Sequence, residues 1–221
     1  MNLLLQHWNG KLGELEEASR DNMQAYAKKC GADYELLRGT PFDGKLSAQS
    51  QKMAAFDEKY DKYDVVVMLD IDMFTRKGMD KNIFTDETGI GRHHGIQTHL
   101  RQKLFNEFPL LCDPRYPYFG GSCYRLTREI RQKFRKHFHL SEMTQFSGNY
   151  NDEGIMHRCA VLSDLKEYPG IYFDRQQWNF SSFDEGVEDA NIIHIRTKVT
   201  PTGPKRSKME NYKALVKRGL I

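Results

Sequence analysis

Residues 64–74 have the sequence DVVVMLDIDMF, an apolar run followed by two aspartates, Asp70 and Asp72, with one residue between them. The run Val65–Leu69 predicts a strand buried on both faces, as in the centre of a parallel sheet. Alternate residues of an extended chain point to the same side, so we expect both carboxylates at the carboxyl end of this strand. Open α/β sheets bind their ligands at that edge.

Strand and helix patterns alternate on either side of this segment. Further strands are predicted at 3–5, 34–37, 171–173 and 191–195, and an extended segment at 116–124. Helices are predicted over 14–30, 47–60, 127–139, 152–162 and 208–218. The alternation predicts an α/β fold with a central, mostly parallel sheet flanked by helices, together with a smaller mixed region.

The composition sets the class of protein. The 221 residues are 39% hydrophobic and 29% charged, with a net charge of +3 and a mean hydropathy of −0.70. These values fit one domain with its own core, or two small domains that share an interface, and they exclude a collagen-like or disordered chain. No apolar run approaches the roughly 18 residues of a membrane span. We therefore expect no membrane span, and the small net charge predicts no nucleic-acid partner. The four cysteines are scattered and the first residues do not resemble a signal peptide, so we expect free thiols and a cytoplasmic protein.

The aspartate pair indicates a metal site, because two close carboxylates repel each other unless a cation neutralises them. Oxygen ligands suit Mg²⁺ or Mn²⁺. His194 interrupts an apolar strand, and as a nitrogen ligand to the same ion it would favour Mn²⁺. Lys198, four residues further on, is placed to reach a phosphate. The alternatives are a solvated strand end for the aspartates and a hydrogen-bonded core histidine for His194.

Four segments in this order resemble the metal-dependent glycosyltransferases of the GT-A fold, which use a nucleotide-diphosphate sugar. The resemblance covers most of the chain, although the glycine of the family's His-x-x-Gly-x-Lys ending is absent here. The segments are residues 19–35 (SRDNMQAYAKKCGADYE), residues 46–55 with Lys52, Asp70 with Asp72, and His194 with Lys198.

The resemblance implies roles for these residues. Asp72 and His194 would bind the metal, and Asp70 would be a further ligand or a ribose contact. The base and ribose would lie on the segment after the first strand, and the diphosphate near two lysines. The residues concerned are Gln6, His7 and Trp8 for the nucleoside, and Lys52 and Lys198 for the phosphates. A core tryptophan and a solvated helix lysine are the competing interpretations of Trp8 and Lys52.

Two further clusters are assigned to the sugar side of the site. Gly120 and Gly121 interrupt an extended stretch, which permits close approach to a donor sugar or forms a simple bulge. Asp152 and Glu153 begin a helix, where acidic residues also favour the positive end of the dipole. In an inverting enzyme Asp152, or else Glu153, would be the catalytic base. In a retaining enzyme the acid would contact a sugar hydroxyl.

The sequence therefore predicts transfer of a hexose or deoxyhexose from a nucleotide-diphosphate sugar, such as a UDP-glucose-like donor, to a glycan hydroxyl. We expect Mn²⁺ or Mg²⁺ as cofactor and one GT-A-like domain over 1–221. Residues of about 1–100 would bind the donor and about 101–200 the acceptor, with 201–221 a helix or a link to further domains. The alternatives are a metal-dependent nucleotidyl- or phosphotransferase and a nucleic-acid-binding module that uses the basic helix at 128–136.

Overall fold

The computed structural model describes residues 1–85, 90–92, 98–116, 119–146, 151–165, 175–197 and 206–221, with the backbone alone at 90–92, 98–101, 119–120 and 175–176. The strand predicted at 171–173 lies outside these residues.

The strands and helices follow the predicted alternation over most of the described chain. The strands are β1 (Asn2–Trp8), β2 (Asp33–Arg38), β3 (Val65–Leu69), β4 (Met73–Thr75), β5 (Ile90–Arg92), β6 (Phe119–Thr127), β7 (Phe180–Ser181) and β8 (Ile192–His194). The helices are α1 (Glu14–Lys29), α2 (Thr98–Glu107), α3 (Arg128–His137), α4 (Leu140–Met143), α5 (Asn151–Leu162), α6 (Arg175–Trp178) and α7 (Lys208–Lys217), with 3₁₀ helices at Gln49–Phe56, Glu58–Tyr60 and Val187–Asp189. Within the described ranges, no helix combines the length and apolar character that a membrane crossing needs.

The strands form two sheets. The larger has the order β2-β1-β3-β6-β5, with β2, β1 and β3 parallel, β6 antiparallel to β3, and β5 antiparallel to β6. Of the five strands that the structure describes in this sheet, four therefore run in one direction and β6 opposes them, which confirms the mostly parallel central sheet. The smaller sheet has the order β4-β8-β7 and is mixed, with β8 antiparallel to β4 and parallel to β7.

Both faces of the large sheet are buried, as the apolar run predicted. Alternate residues of β3 enter different cores: Val66 and Met68 pack with α3 and α5, whereas Val67 and Leu69 pack against α1. A third core lies between the small sheet and α7, where Leu215 meets Ile193. Removal of these side chains from water on both faces is the main stabilising contribution to the layered fold.

The α-helix predicted over 47–60 is wrong. The segment forms two 3₁₀ helices that break at Asp57, whose backbone is extended and whose side chain accepts a hydrogen bond from Lys59 N at 2.9 Å. This local capping competes with continuation of an α-helix. Seven of the eight residues of Gln49–Phe56 are buried, among them Lys52.

The basic helix α3 is bound by charges of its own chain. Arg128 pairs with Asp64 at 2.7 Å and Arg135 pairs with Asp61 at 2.7 Å. Arg131 is fully buried and donates to three backbone carbonyls, including those of Tyr60 and Tyr63. Burial lowers the pKa of Arg131 to about 10. The helix is thus fixed to the loop before β3, and the absence of a nucleic-acid partner stays a prediction.

Candidate metal centre and cleft

The Asp70–Asp72 segment is a turn that passes from the large sheet to the small one. Asp70 N donates to Ser122 O of β6 at 3.0 Å, so the start of the turn stays attached to the large sheet. At the other end, Ile195 N donates to Asp72 O at 2.8 Å and Met73 pairs with His194. The aspartates therefore follow β3 in a turn and not in an extended strand, and this turn brings them to His194.

Asp70, Asp72 and His194 form the predicted cluster. Each offers one ligand atom, and these atoms all lie within 4.8 Å of one another. Asp72 and His194 are buried, whereas Asp70 is half-buried. Two carboxylates and an imidazole are a donor set that fits Mn²⁺, and to a lesser degree Mg²⁺. These three residues could hold a divalent cation.

Asp72 is already in contact with two basic groups. Its Oδ1 lies 3.2 Å from His194 Nε2, and its Oδ2 accepts from Lys208 Nζ. Burial raises the pKa of this carboxyl, but His194 and Lys208 outweigh it and hold the pKa well below its ordinary value. Asp72 is therefore ionised at neutral pH and carries a negative charge that suits a cation.

His194 is oriented from its far side. Its Nδ1 lies 3.0 Å from Oδ1 of the buried Asn179 and 3.2 Å from Arg196 Nε. Asn179 Oδ1 can accept from a protonated Nδ1, and Arg196 Nε can donate to an unprotonated Nδ1. Nδ1 therefore has a hydrogen-bond partner in either tautomer of the ring. The tautomer with its proton on Nδ1 donates to Asn179 and leaves the Nε2 lone pair for a metal ion.

Lys52 joins the aspartate turn to α5. Its ammonium lies 2.9 Å from Asp70 Oδ1 and 2.7 Å from Asp152 Oδ2, and it also donates to the Gly121 carbonyl. These partners match the three donors of an ammonium group. Burial lowers the pKa of Lys52, but the attraction of Asp152 and Asp70 is larger and raises the pKa above its ordinary value. Lys52 thus bridges two carboxylates and offsets one of their two negative charges, and a phosphate contact by this group stays a prediction.

Gly121 must be glycine for this arrangement. A Cβ atom at Gly121 would lie 2.2 Å from Asp152 Oδ2. The Gly121 amide donates to Glu153 Oε1 at 3.2 Å. Asp152 Oδ1 accepts from Glu153 N at 3.0 Å. The acidic pair at the start of α5 is therefore held against β6 by close backbone approach. Gly120 lies in the same strand, where the structure describes its backbone.

A cleft of about 320 Å³ opens beside the aspartate turn. This volume lies at the small end of the range of about 300–1,000 Å³ for ligand sites. His7 and Trp8 line this cleft, and His7 is fixed by a 2.8 Å hydrogen bond between Nε2 and Gly39 O. Burial lowers the pKa of His7, so the ring is neutral at pH 7. The lining residues are His7–Asn9, Ala48, Gln49, Lys52, Met68–Asp72 and Lys208.

Gln6 points into the protein and not into this cleft. Its side chain is fully buried, donates to Ser19 Oγ at 3.1 Å and to Asp70 O at 3.0 Å, and accepts from Tyr34 Oη at 2.8 Å. Both polar atoms of its side chain, Nε2 and Oε1, are thus hydrogen-bonded within the chain. The geometry supports a role through the Asp70 backbone and argues against the direct nucleotide-sugar contact expected from the sequence.

Other predicted residues are less close to the cleft. Asp152 and Glu153 are absent from its described lining, although Lys52 connects Asp152 to it. Lys198 lies outside the described residues. Sequence reasoning missed Lys208 and Asn179. The position of Lys208 at the start of a predicted helix could have indicated a nearby acidic partner, because the helix dipole disfavours a cation there. Nothing in the sequence pointed to Asn179.

The fold and site define a protein of the GT-A architecture, in which an aspartate turn follows a central strand beside a cleft. A solved glycosyltransferase involved in glycosylation of the major capsid of PBCV-1 is similar to this chain, with a TM-score of 0.58, 11% identity and coverage of 97% of this chain and 98% of the other. An active-site mutant of LgtC gives a TM-score of 0.55 at 11% identity, over 100% of this chain and 96% of the other.

A second structure, of the galactosyltransferase LgtC in complex with donor and acceptor sugar analogs, also has a TM-score of 0.55 and 11% identity, over 99% of this chain and 95% of that one. No family model and no curated protein sequence matches the chain. At this level of identity the likeness establishes the fold, and the predicted GT-A fold is confirmed.

Proposed function

We propose that this chain is a glycosyltransferase that moves a hexose or deoxyhexose from a nucleotide-diphosphate sugar to a glycan hydroxyl, with Mn²⁺ or Mg²⁺ as cofactor. A UDP-sugar is the proposed donor. The observation that carries the proposal is the cluster of Asp70, Asp72 and His194 at the edge of a cleft, in a fold shared with solved glycosyltransferases. Fold alone does not define a reaction, whereas a metal-ligand set at the ligand-binding edge of the sheet points to diphosphate chemistry.

In this proposal Asp70, Asp72 and His194 hold the cation. When bound, a divalent cation neutralises the diphosphate and so stabilises the leaving nucleotide. The chain itself holds these ligand residues in position through hydrogen bonds. Asn179 orients His194, Gln6 and Ser122 fix the backbone of Asp70, and Ile195 fixes that of Asp72. Ligands held in this way need little rearrangement when the donor arrives.

The nucleoside is assigned to the side of the cleft formed by His7, Trp8 and Asn9. The Trp8 ring is only half-buried, and its Nε1 donates to Lys11 O at 3.1 Å, which fixes the indole at the cleft. An indole face in this position suits stacking against a base. The exposed Asn9 offers hydrogen-bonding groups beside it.

For Asp152 and Glu153 we propose the sugar side of the site. Asp152 is buried, its Oδ2 lies 2.7 Å from the Lys52 ammonium and its Oδ1 accepts from Glu153 N, so both of its carboxylate oxygens already have partners within the chain. Glu153 is bound to the Gly121 amide. Of the two roles that the sequence left open, contact with a sugar hydroxyl therefore agrees better with the geometry than a catalytic base does.

A thermal-shift panel with Mn²⁺ separates this function from its rivals. UDP and UDP-sugars should raise the melting temperature more than nucleoside triphosphates do, and the shift should vanish with a chelator. A stronger response to triphosphates would favour the nucleotidyl- or phosphotransferase, and salt-sensitive binding to RNA or DNA would favour the nucleic-acid module. Either result would overturn the proposed function.

A further inference from the structure

Lys208 contacts the candidate metal centre through Asp72. It is the first residue of α7, about half of its side chain is exposed, and its ammonium meets Oδ2 of the buried Asp72. Lys208 also lines the cleft. A positive charge at the start of a helix is unfavourable in the field of the dipole. Its contact with Asp72 offsets this, since the ammonium neutralises a carboxylate that the protein has buried.

The helix itself does not depend on Lys208. Ser207 caps α7 by accepting from Glu210 N at 3.2 Å, and Glu210 in turn accepts from Ser207 N at 2.6 Å. Further along, Asn211 donates to Arg196 O at 2.6 Å and Leu215 is buried in the third core. The Lys208 side chain can therefore leave Asp72 by rotating its own flexible stem, while α7 stays in place.

A divalent cation and the Lys208 ammonium compete for the same carboxylate. Both are positive and would repel each other at close range in this partly buried site. We propose that Lys208 and the divalent cation exchange at Asp72, and that the released ammonium then pairs with the diphosphate of the donor in the cleft. The second half rests on the proposed function, whereas the first half requires only that the cluster binds a metal.

The exchange predicts opposite effects of one substitution on two ligands. In Lys208→Met the stem is kept and the charge removed, so Mn²⁺ without nucleotide should bind roughly three- to fivefold more tightly. UDP added at saturating Mn²⁺ should bind roughly three- to fivefold more weakly, because its phosphates lose a partner. Lys208→Arg keeps the charge and should leave both affinities close to the wild-type values.

Isothermal titration calorimetry on the whole chain measures both affinities without any turnover. Lys213→Met is the matched control, since Lys213 is exposed on the same helix and lies outside the cleft lining. It should change neither affinity, and melting curves establish that all variants are folded. Unchanged or weaker Mn²⁺ binding by Lys208→Met would overturn the exchange.

The two proposals fail in different ways. If the wild-type chain binds no Mn²⁺, both the exchange and the metal-dependent reaction are wrong. If Lys208→Met tightens Mn²⁺ binding but UDP does not bind to any variant, the exchange at Asp72 stands and the assignment of a uridine donor is wrong. If UDP binds equally well to the wild type and Lys208→Met, the proposed pairing of the released Lys208 ammonium with the diphosphate is wrong.

Discussion

Asp72 Oδ1 lies 3.2 Å from His194 Nε2, although the aspartate belongs to the turn after β3 and the histidine to β8. The contact follows from the register of the small sheet, in which Met73 pairs with His194. The chain crosses from one sheet to the other immediately after the central strand, and this crossing assembles the candidate metal centre from segments that are distant in sequence.

Asp72→Asn should remove metal-dependent activity. The amide keeps the shape of the side chain but lacks the charge that a cation requires, so we expect turnover to fall about 100-fold or more. Mn²⁺ affinity, measured by calorimetry, should fall in parallel. Asp80→Asn is the control, since Asp80 is exposed and is not part of the cluster. Equal activity of the two variants would exclude Asp72 as a ligand.

Gln6→Leu should weaken the metal centre from within the core. The substitution leaves the hydroxyl of Ser19 and the carbonyl of Asp70 without this partner, and we expect a loss of about 2–3 kcal/mol in the free energy of unfolding. Loss of support behind the ligands should also reduce Mn²⁺ affinity about tenfold. Urea unfolding and calorimetry measure the two effects separately.

A matched variant for Gln6 is Gln24→Leu, at an exposed position of α1. It should leave both quantities close to the wild-type values. If Gln6→Leu destabilised the fold but bound Mn²⁺ normally, the buried side chain would be structural only. Its proposed influence on Asp70 would then be wrong.

Lys52→Met should be strongly destabilising, because two carboxylates, Asp70 and Asp152, lose their common cation. For a buried charge left without its partner we expect a loss of about 3–5 kcal/mol. Lys45→Met, at an exposed position, should have little effect. Equal stabilities of the two variants would show that the ion pairs of Lys52 contribute nothing.

The direction in which the pKa of Lys52 is shifted predicts how the stability difference between wild type and Lys52→Met depends on pH. The pKa of Lys52 is raised in the folded chain, because its attraction to Asp152 and Asp70 outweighs the effect of burial. The stabilisation is therefore fully present below the unfolded pKa and is lost as the pH rises through the higher folded pKa. Urea unfolding from about pH 7 to 9 should give the same difference between wild type and Lys52→Met. A steep decline of the difference within that range would contradict the assigned ion pairs.

Gly121→Ala should displace the start of α5. Its Cβ would meet Asp152 Oδ2 at 2.2 Å, and we expect a destabilisation of about 1–3 kcal/mol together with lower activity. In an Asp152→Ala background the carboxylate that causes the clash is absent, so the same glycine substitution should have a much smaller effect. Additive losses in the double variant would mean that the close approach to Asp152 is unimportant.

Local sequence patterns were sufficient to predict the central strand from its apolar run and α1 from the spacing of its apolar residues, and they also placed α5 and α7. The prediction of an α-helix over 47–60 failed, because this segment forms 3₁₀ helices. There the capping by Asp57 and the burial of nearly every residue decide the geometry, and neither is visible in a helical period.

The candidate site was predictable to a similar extent. Asp70, Asp72 and His194 carry their chemistry in residue type and context, and the structure brings them together. The parts that depend on long-range packing were not predictable. Gln6 follows three leucines and turns inward because the strand continues to Trp8, and Lys208 reaches Asp72 only because α7 packs against the small sheet.

The most direct test of the proposed function is a screen of nucleotide sugars with Mn²⁺, read by release of the free nucleotide, on wild type and Asp72→Asn in parallel. We predict that at least one nucleotide-diphosphate sugar, a UDP-sugar by our assignment, is consumed by the wild type. That release should stop in Asp72→Asn and with a chelator, and should return when Mn²⁺ is restored. Turnover that survives both Asp72→Asn and removal of the metal would contradict a metal-dependent glycosyltransferase built on this cluster.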